Sequence, residues 1–313
     1  MARTAKRMTK KQKEKLAGAL LVVVLVSLAL TIGLLVPSLD LPGWGDLFAP
    51  LNAPYSSVEG EMEVHFIDVG NADCTLVRQG DFCVLIDAGE RGDRNRILQY
   101  LNDAGVRRLD LVIATHAHAD HIGSMAAVLE SIPTERMLLA YMAPEDTPTS
   151  ATYIDMLEVL DEKSIPVEGA VPGAVYTVGE AQLQVLAPIE MSSDCNDMSV
   201  VTRLTFGKTA FLFAGDAEVA VEKDILNSGY AVQSTVLKVG HHGASTSSSA
   251  AFLKRVAPQY AVIPCGSGNS YGHPHTETLE RLDGLGATVY RSDVHGDVVF
   301  TSDGDTVSIE TEE

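Results

Sequence analysis

From residue 61 onward, short apolar runs alternate with segments of helical periodicity, which is the pattern of a mixed α/β domain. The runs MEVHFIDVG, CTLVRQG and FCVLIDAG predict three strands joined by glycine-containing turns. The segment DRNRILQYLNDAG predicts a helix that ends near Gly105. Because hairpin patterns and strand–helix units occur together, we expect two sheets with helices on their outer faces.

The same alternation continues to the C-terminus. Strands are predicted in LDLVIAT, MLLAY, SVVTRLTFG, TAFLFAG, STVLKVG and YAVIPCG, with a hairpin in VYTVGEAQLQVLAP and three final strands. Helices are predicted in IGSMAAVLESI, YIDMLEVLDEK, SAAFLKRVA and HTETLERLDGLG, and from Glu218 to Asn227. The predicted domain therefore covers residues 59–313.

The N-terminus has a different pattern. Residues 1–15 contain seven Lys/Arg and one acidic residue, whereas residues 16–36 are uncharged and rich in Leu, Val and Ala. A helix of that length spans a bilayer core of about 30 Å. We therefore predict a basic cytoplasmic tail, a transmembrane anchor at residues 16–36, a linker at residues 37–58 and a domain outside the cytoplasm. A cleavable signal peptide is the alternative, although its apolar core is usually shorter, about 7–15 residues.

Charge limits the substrates that the domain can bind. The chain has a formal net charge of −19, and without residues 1–15 it has only 16 Lys/Arg against 41 Asp/Glu. Proteins that bind duplex DNA usually have a basic stripe, and no dense Lys/Arg run follows residue 15.

The four cysteines form no C-x-x-C pair, so a thiolate zinc site is not expected.

The segment THAHADHIGS indicates a metal site. It follows the predicted strand LDLVIAT directly and contains His116, His118, Asp120 and His121. Residues two apart in an extended segment point to the same side, so the first two histidines should converge. Imidazole nitrogens and a carboxylate suit Zn²⁺, and also Mn²⁺ or Fe. Solvated loop histidines are the alternative, but three of them with an aspartate at this spacing favour ligands.

This histidine motif is the signature of the metallo-β-lactamase fold superfamily, and the flanking segments narrow the resemblance. FIDVGNADCTLV and VLIDAGE precede the motif, and FLFAGD, LKVGHHGASTSS and GSGNSYGHPH follow it. The series resembles the metallohydrolase domain of the ComEC competence family over about residues 60–311. It departs from that family at Asn71, where Gln is usual, and in having one hydrophobic segment instead of many. The resemblance implies an αββα four-layer sandwich.

The resemblance also implies a set of metal ligands for one or two ions, Zn²⁺ or Mn²⁺. The set consists of His116 and His118 for the first ion, Asp120 and His121 for the second, Asp216 as a bridge, and His241 or His242 from GHHG. Many relatives have a further histidine where this chain has Asn196. Either the first site is weak, or His241 and His242 each serve one ion. Asp87 would orient a ligand histidine, unless it only caps a turn.

Other residues are candidates for contact with the substrate. Two bound ions would lower the pKa of water and neutralise charge on the substrate. Asp120, as a ligand at this position, is also predicted to be a catalytic residue. A surface for phosphate is predicted from Asn196, Asn269, Tyr271, His273 and His275, with one of the last two histidines protonating the leaving oxygen. Lys238 would place a positive charge nearby, unless it is a solvated strand residue.

The sequence thus predicts a membrane-anchored, extracytoplasmic metal-dependent hydrolase, in the first place a phosphodiesterase. Through the ComEC resemblance its expected substrate is DNA as single strands, and a separate channel protein is an expected partner. The acidic domain counts against tight DNA binding. The alternatives are a surface phosphodiesterase acting on teichoic-acid or phosphocholine esters, and a degenerate binding module.

Overall fold

The computed structural model describes residues 60–312. The predicted tail, anchor and linker at residues 1–58 lie outside the described residues. Within residues 60–312, no helix is long and apolar enough to cross a membrane.

Two β-sheets form the centre of the described domain. The first sheet has the strand order β15-β14-β1-β2-β3-β4-β5-β6, and the second has the order β13-β12-β11-β10-β9-β8-β7. The strands of the first sheet are β1 (Met62–Phe66), β2 (Thr75–Gln79), β3 (Phe82–Ile86), β4 (Leu111–Ala114), β5 (Met137–Leu139), β6 (Val167–Gly169), β14 (Val298–Ser302) and β15 (Val307–Thr311). Those of the second are β7 (Val175–Val178), β8 (Ala181–Ala187), β9 (Val201–Phe206), β10 (Thr209–Phe213), β11 (Val236–Lys238), β12 (Tyr260–Ile263) and β13 (Thr288–Arg291).

Helices cover the outer face of each sheet. They are α1 (Arg94–Asp103), α2 (Ala119–Ile122), α3 (Met125–Ser131), α4 (Ala151–Glu162), α5 (Val219–Ser228), α6 (Ala250–Val256), α7 (Thr276–Asp283) and α8 (Ser292–His295). One apolar cluster joins the two sheets, a second joins α1, α3 and α4 to the first sheet, and a third joins α5, α6 and α7 to the second sheet. This is the predicted arrangement of two sheets with helices on both outer faces.

The sheet topology brings distant segments to one edge. β3 and β4 are parallel neighbours in the first sheet, and β10, β11 and β12 are parallel neighbours in the second. The carboxyl ends of parallel strands meet at one edge of a sheet, where α/β proteins place their sites. The segments after these five strands contain most of the predicted ligands.

Two details of the fold differ from the sequence prediction. The helix expected in IGSMAAVLESI begins only at Met125 (α3), and the short helix α2, which ends at Ile122, precedes it. A Cβ atom at Gly123, between the two helices, would lie 2.3 Å from the backbone nitrogen of Arg91, which explains why this position requires glycine. The short elements β6 and α8 were not expected, since three or four residues give too little periodicity to recognise.

Candidate metal centre

The histidine motif begins where β4 ends. The chain bends at His116 and Ala117, His118 is extended, and then α2 begins. The Nε2 atom of His116 lies 3.0 Å from Nδ1 of His118, so the two rings converge, although across a bend and not along the extended segment that was expected. The same Nε2 atom lies 4.0 Å from Oδ2 of Asp216, which follows β10 in the other sheet. His116 therefore faces the predicted bridging carboxylate, and His118 contacts His116.

A second group of side chains lies beside these histidines. It consists of Asp120, His121, Asp216 and His242, whose ligand-type atoms all lie within 4.8 Å of one another. The Nε2 atom of His121 is 3.3 Å from Oδ1 of Asp216. The Nε2 atom of His242 is 3.2 Å from Oδ2 of Asp120 and 3.6 Å from Oδ2 of Asp216. Asp216 thus faces both groups, which is the position that a bridging ligand requires.

Asp87 orients His121 from behind. The Nδ1–H group of His121 donates to Oδ2 of Asp87 over 2.8 Å, which leaves Nε2 directed at Asp216. Thr115 holds the same carboxylate with its backbone N–H at 2.8 Å and its hydroxyl at 2.7 Å. A ligand histidine is commonly fixed in this way by a carboxylate on its other nitrogen. The contact is the one that the predicted orienting role of Asp87 requires.

Buried atoms of this cluster show that it fits a cation. The Nε2 atom of His121 and Oδ1 of Asp216 are buried and have no hydrogen-bond partner among residues 60–312. Because Nδ1 of His121 carries the proton given to Asp87, a neutral ring presents a lone pair at Nε2 towards a carboxylate oxygen. Two buried acceptors 3.3 Å apart are unfavourable unless a proton or a metal ion lies between them. The donor set therefore fits a divalent ion bound by nitrogen and oxygen.

The electrostatics of the cluster agree with a cation site. Burial alone would lower the pKa of His121, but the carboxylates of Asp216, Asp87 and Asp73 raise it well above its usual value. Burial would raise the pKa of Asp216, but His121 and His242 hold it well below its usual value. The carboxylates therefore create a strongly negative potential at the position of the predicted ions.

The structure shows the turn at GHHG, where the sequence left open whether one or both histidines are ligands. Residues Gly240–Gly243 form a 3₁₀ turn in which His241 and His242 have φ values of 50° and 52°. Two successive non-glycine residues in the left-handed region are strained, and such strain persists where the surrounding structure enforces it, often at functional sites. The turn directs both rings towards Asp216, since the Nε2 atom of His241 lies 3.7 Å from Oδ2 of Asp216. The shared use of the histidine pair is therefore sterically feasible.

An open cleft of about 610 Å³ lies over the cluster. Its wall includes Asn71, Glu90 and Asn196, together with the loop that contains Asn269, Ser270, Tyr271 and His273. Asn196 begins a short 3₁₀ helix, and its buried Oδ1 atom has no hydrogen-bond partner in the described part of the chain. Asn196 thus lies in the cleft wall, and its contact with the substrate stays a prediction.

His273 lies in a stack of rings that reaches from the cleft wall to the ligand cluster. Its ring is stacked on Tyr271 at 5.5 Å and on His242 at 6.1 Å. Burial, with His242, His241 and His275 nearby, lowers the pKa of His273 to about 4. The ring is therefore neutral near pH 7 and can donate a hydrogen bond. This does not favour its predicted role as a proton donor to the leaving oxygen.

Two other residues of the predicted phosphate surface instead hold the loop together. His275 accepts from the backbone N–H of Ser245 at 3.0 Å, and its other nitrogen lies 3.2 Å from the carbonyl oxygen of Tyr271. The amide of Asn269 donates to the carbonyl oxygens of Gly266 and His273 over 2.9 and 2.6 Å. Asn269 uses its amide within the loop, and His275 joins the loop to Ser245 in the segment after GHHG, so a catalytic role for His275 and a phosphate contact by Asn269 are not supported by this geometry.

Lys238 does not reach the cleft, which corrects the prediction that it contacts the substrate. Its ammonium group is buried, forms an ion pair with Asp73, and donates to the carbonyl oxygen of Gly215 over 2.8 Å. It also lies 3.7 Å from Oδ1 of Asp216. Burial opposes the charged form, but Asp73 and Asp216 raise the pKa of Lys238 above its usual value. Lys238 is thus a fixed positive charge beneath the ligand cluster.

Replacing Lys238 by methionine should lower the free energy of unfolding strongly and should lower the activity of each folded molecule less. The change leaves Asp73 buried without its cation, and breaking a buried ion pair from one side costs about 3–5 kcal/mol. We expect the free energy of unfolding, measured in urea with metal-free protein, to fall by about that amount. Lys254→Met is the matched control, since Lys254 is exposed on α6. A loss below about 1 kcal/mol, similar to the control, would contradict the buried pair.

The sequence analysis missed two acidic residues of the site. Asp73 pairs with Lys238 and lies 3.5 Å from Nδ1 of His242. Glu218 lies 3.4 Å from Nδ1 of His241. Glu218 follows Asp216 by two residues, and that short spacing was the one signal in the sequence that could have drawn attention to it.

Comparisons with known proteins agree with this geometry. Residues 67–267 match the family described as the metallo-beta-lactamase superfamily. The chain is 28% identical over 268 residues to ComE operon protein 3 of Bacillus subtilis, which covers 79% of this chain and 34% of that protein. It is 30% identical over 250 residues to competence protein ComA of Neisseria gonorrhoeae, which covers 79% of this chain and 33% of that protein. The chain thus spans about a third of the length of these relatives.

The fold also matches solved structures. Igni18, a metallo hydrolase from Ignicoccus hospitalis, superposes with a TM-score of 0.52 and 18% identity, covering 76% of this chain and 98% of that one. At this identity the likeness establishes the fold alone.

Proposed function

The chain belongs to the metallo-beta-lactamase superfamily, and on this basis we propose that it is a metal-dependent hydrolase that cleaves phosphodiesters. One observation carries the proposal more than any other: the buried carboxylate of Asp216 faces two groups of imidazoles at the floor of an open cleft. Paired divalent ions in such a site would act as Lewis acids on a phosphoryl oxygen and would lower the pKa of bound water.

The side chains of this protein then have separate tasks. His116, His118 and Asp216 would hold one ion, and Asp120, His121, His242 and Asp216 the other. Asp87 holds His121 in the required orientation. His273, kept neutral by its surroundings, would donate a hydrogen bond to a substrate oxygen from its position in the ring stack. These interactions place the phosphorus atom over the ligand cluster and stabilise charge that develops on its oxygens.

Single-stranded DNA is the substrate that we favour. Tyr271 has 68% of its surface exposed and lines the cleft, with its ring stacked on His273 at an interplanar angle of 19°. An exposed aromatic ring beside a phosphodiester site can stack on an unpaired base, and such stacking contributes about 1–3 kcal/mol per base. The similarity to proteins named for competence is consistent with this choice. The ComEC resemblance of the sequence is the reason for proposing a separate channel protein as a partner.

A second candidate substrate is a small phosphodiester such as a teichoic-acid or phosphocholine ester. The residues that line the cleft include no Arg or Lys, and Glu90 adds a negative charge to its wall. A long polyanion is usually held by many basic contacts, whereas a single diester needs only the ions and a few neutral donors. The acidic cleft therefore favours a short substrate or a few nucleotides at a strand end.

A comparison of the cleavage rates of different substrates tests the proposal. We expect the metal-loaded full-length chain to cleave labelled single-stranded DNA and bis(p-nitrophenyl) phosphate. The His118→Ala variant, prepared identically, is the control for a contaminating nuclease. Tyr271→Ala should lower kcat/KM for DNA by at least about fivefold, because a stacking contact is lost, and should change the small diester less than twofold. Preference for p-nitrophenyl phosphorylcholine, with no effect of Tyr271→Ala, would select the second candidate. Cleavage of none of these would contradict the proposed activity.

We further propose that residues 16–36 anchor the chain in a membrane, with the hydrolase domain on the extracytoplasmic side. The motive is the basic segment followed by an uncharged apolar run. Protease added to spheroplasts is expected to digest the domain, while a cytoplasmic marker protein remains intact. Protection of the domain until the cells are lysed would contradict this topology.

A further inference from the structure

We propose that Glu218 is a positioning residue that orients His241, so that His241 supplies the nitrogen ligand that Asn196 cannot supply to the first ion. The inference rests on the metal-dependent function proposed above. It assigns a role to an acidic residue that lies outside the histidine motif, and it predicts which of the two ions depends on it.

The imidazole of His241 lies between two carboxylates. Its Nδ1 atom is 3.4 Å from Oε1 of Glu218, and its Nε2 atom is 3.7 Å from Oδ2 of Asp216. The two acidic residues are two positions apart in the turn between β10 and α5. Nδ1 of His241 is buried and forms no hydrogen bond within the described residues, so Glu218 is the carboxylate beside it, while Nε2 is presented to the bridging carboxylate.

Glu218 is itself held in place. It precedes α5, and its Oε1 atom accepts a hydrogen bond from the hydroxyl of Thr246 over 2.8 Å. The backbone N–H of Val219 donates to the carbonyl oxygen of Thr246 over 3.1 Å, and the hydroxyl of Ser247 donates to that of Ala217 over 2.9 Å. The segment after GHHG thus clamps the Glu218 carboxylate beside the histidine turn.

This arrangement selects one tautomer of His241. A carboxylate beside Nδ1 favours the proton on that nitrogen, which leaves the Nε2 lone pair directed towards Asp216. Asp87 has the same relation to His121, where Nδ1 donates over 2.8 Å and Nε2 faces Asp216. His242 has its own acceptor, since its Nδ1–H donates to the carbonyl oxygen of Pro264 over 2.9 Å. Each ring of the pair therefore has a separate acceptor behind it.

The remaining geometry assigns His241 to the first ion. His242 belongs to the group with Asp120 and His121, whereas His241 lies outside that group of four. His116 and His241 both have Nε2 near Oδ2 of Asp216, at 4.0 and 3.7 Å; because Nε2 of His242 is also 3.6 Å from that oxygen, it is the exclusion of His241 from the group of four that separates the two rings. Asn196 lines the same cleft with an amide, which is a poor zinc ligand. His241, fixed by Glu218, can complete the coordination that this amide leaves deficient.

The test compares metal binding by Glu218→Ala and Glu218→Gln in the full-length chain. Metal-free protein would be titrated with Co²⁺, and both the ligand-field absorption and the bound equivalents would be measured. The alanine variant should bind the first-site ion about 10–100-fold more weakly, the usual effect of losing such an orienting partner, and should retain the other ion. The glutamine variant should keep most of the affinity, because its amide oxygen can still lie beside the Nδ1–H group of His241 as an acceptor. Asp224→Asn, a carboxylate change on α5, is the matched control.

A double mutant separates this role from a general loss of structure. If Glu218 acts through His241, adding Glu218→Ala to His241→Ala should cause no further loss of metal. Retention of the second ion also shows that each variant is folded. Wild-type affinity in Glu218→Ala, equal damage in Glu218→Gln, or a further loss in the double mutant would each overturn the proposal. A wild-type chain that binds two ions yet cleaves no phosphodiester would contradict the proposed function while the result for Glu218 still stands.

Discussion

Asp216→Ala is expected to remove both metal ions and to abolish hydrolysis. The two oxygens of this carboxylate lie 3.3 Å from His121, 3.6 Å from His242, 3.7 Å from His241 and 4.0 Å from His116. A side chain in contact with both groups serves both ions, so its loss should affect both sites. The neighbouring carboxylates among the described residues have other partners: Asp73 is paired with Lys238, Asp87 with His121, and Asp120 belongs to the proposed second site itself.

Metal analysis after gel filtration measures this effect directly. The wild-type chain should hold about two equivalents of Zn²⁺ or Mn²⁺, and Asp216→Ala should hold far less than one. The rate of phosphodiester cleavage should fall by at least about 100-fold, the upper range for loss of a residue that only supports a ligand. Asp161→Asn, an exposed carboxylate on α4, should match the wild type in both respects. A full complement of metal in Asp216→Ala would show that the bridging assignment is wrong.

The second large effect is expected at the histidine pair. If His241 and His242 each bind one ion, His241→Ala and His242→Ala should each lose about one equivalent and nearly all activity, since each ion loses an imidazole that no nearby side chain replaces. Asn196→Ala should leave the metal content almost unchanged, because its amide contributes little to either site. His242 is almost fully buried and belongs to the group of four, so its loss should affect the tighter site.

The two variants also distinguish the alternatives that the sequence left open. If only one histidine of the pair were a ligand, the other could be replaced with full retention of metal. Two equivalents bound by His241→Ala, or by His242→Ala, would therefore reject the shared pair. The left-handed turn at GHHG makes the shared arrangement sterically accessible, but the number of bound ions decides it.

Much of the fold could be predicted because its signals are local. The strands around the histidine motif are short apolar runs, and α1 and α4 have clear helical periodicity. The requirement for glycine at Gly123 was not predictable in this way, because it depends on the backbone of Arg91, which approaches Gly123 from another part of the chain. Local patterns identify elements, whereas such a contact exists only in the folded chain.

The candidate site shows the same limit. The motif residues and Asp216 converge because they follow adjacent strands, and this follows from the pattern together with the family resemblance. The sequence suggested that Lys238 is a cation near the substrate. In the structure it is buried at the end of β11, beneath the cluster and against Asp73. The sequence suggested a catalytic role for His275, but this residue precedes α7 and its nitrogens contact Ser245 and the carbonyl oxygen of Tyr271. In both cases the residue type indicated that the residue lies at the site, but the sequence did not predict the direction of its side chain.

Cleavage of bis(p-nitrophenyl) phosphate during titration of the metal-free, full-length chain with Mn²⁺ or Zn²⁺ tests the central claim most directly. Each point would give the bound equivalents and the rate on one sample. The account predicts little cleavage without metal and a rate that rises until about two equivalents are bound, with no such rise in Asp216→Ala. A chain that binds two equivalents and still fails to cleave the diester, or one that cleaves it equally well without metal, would contradict the account.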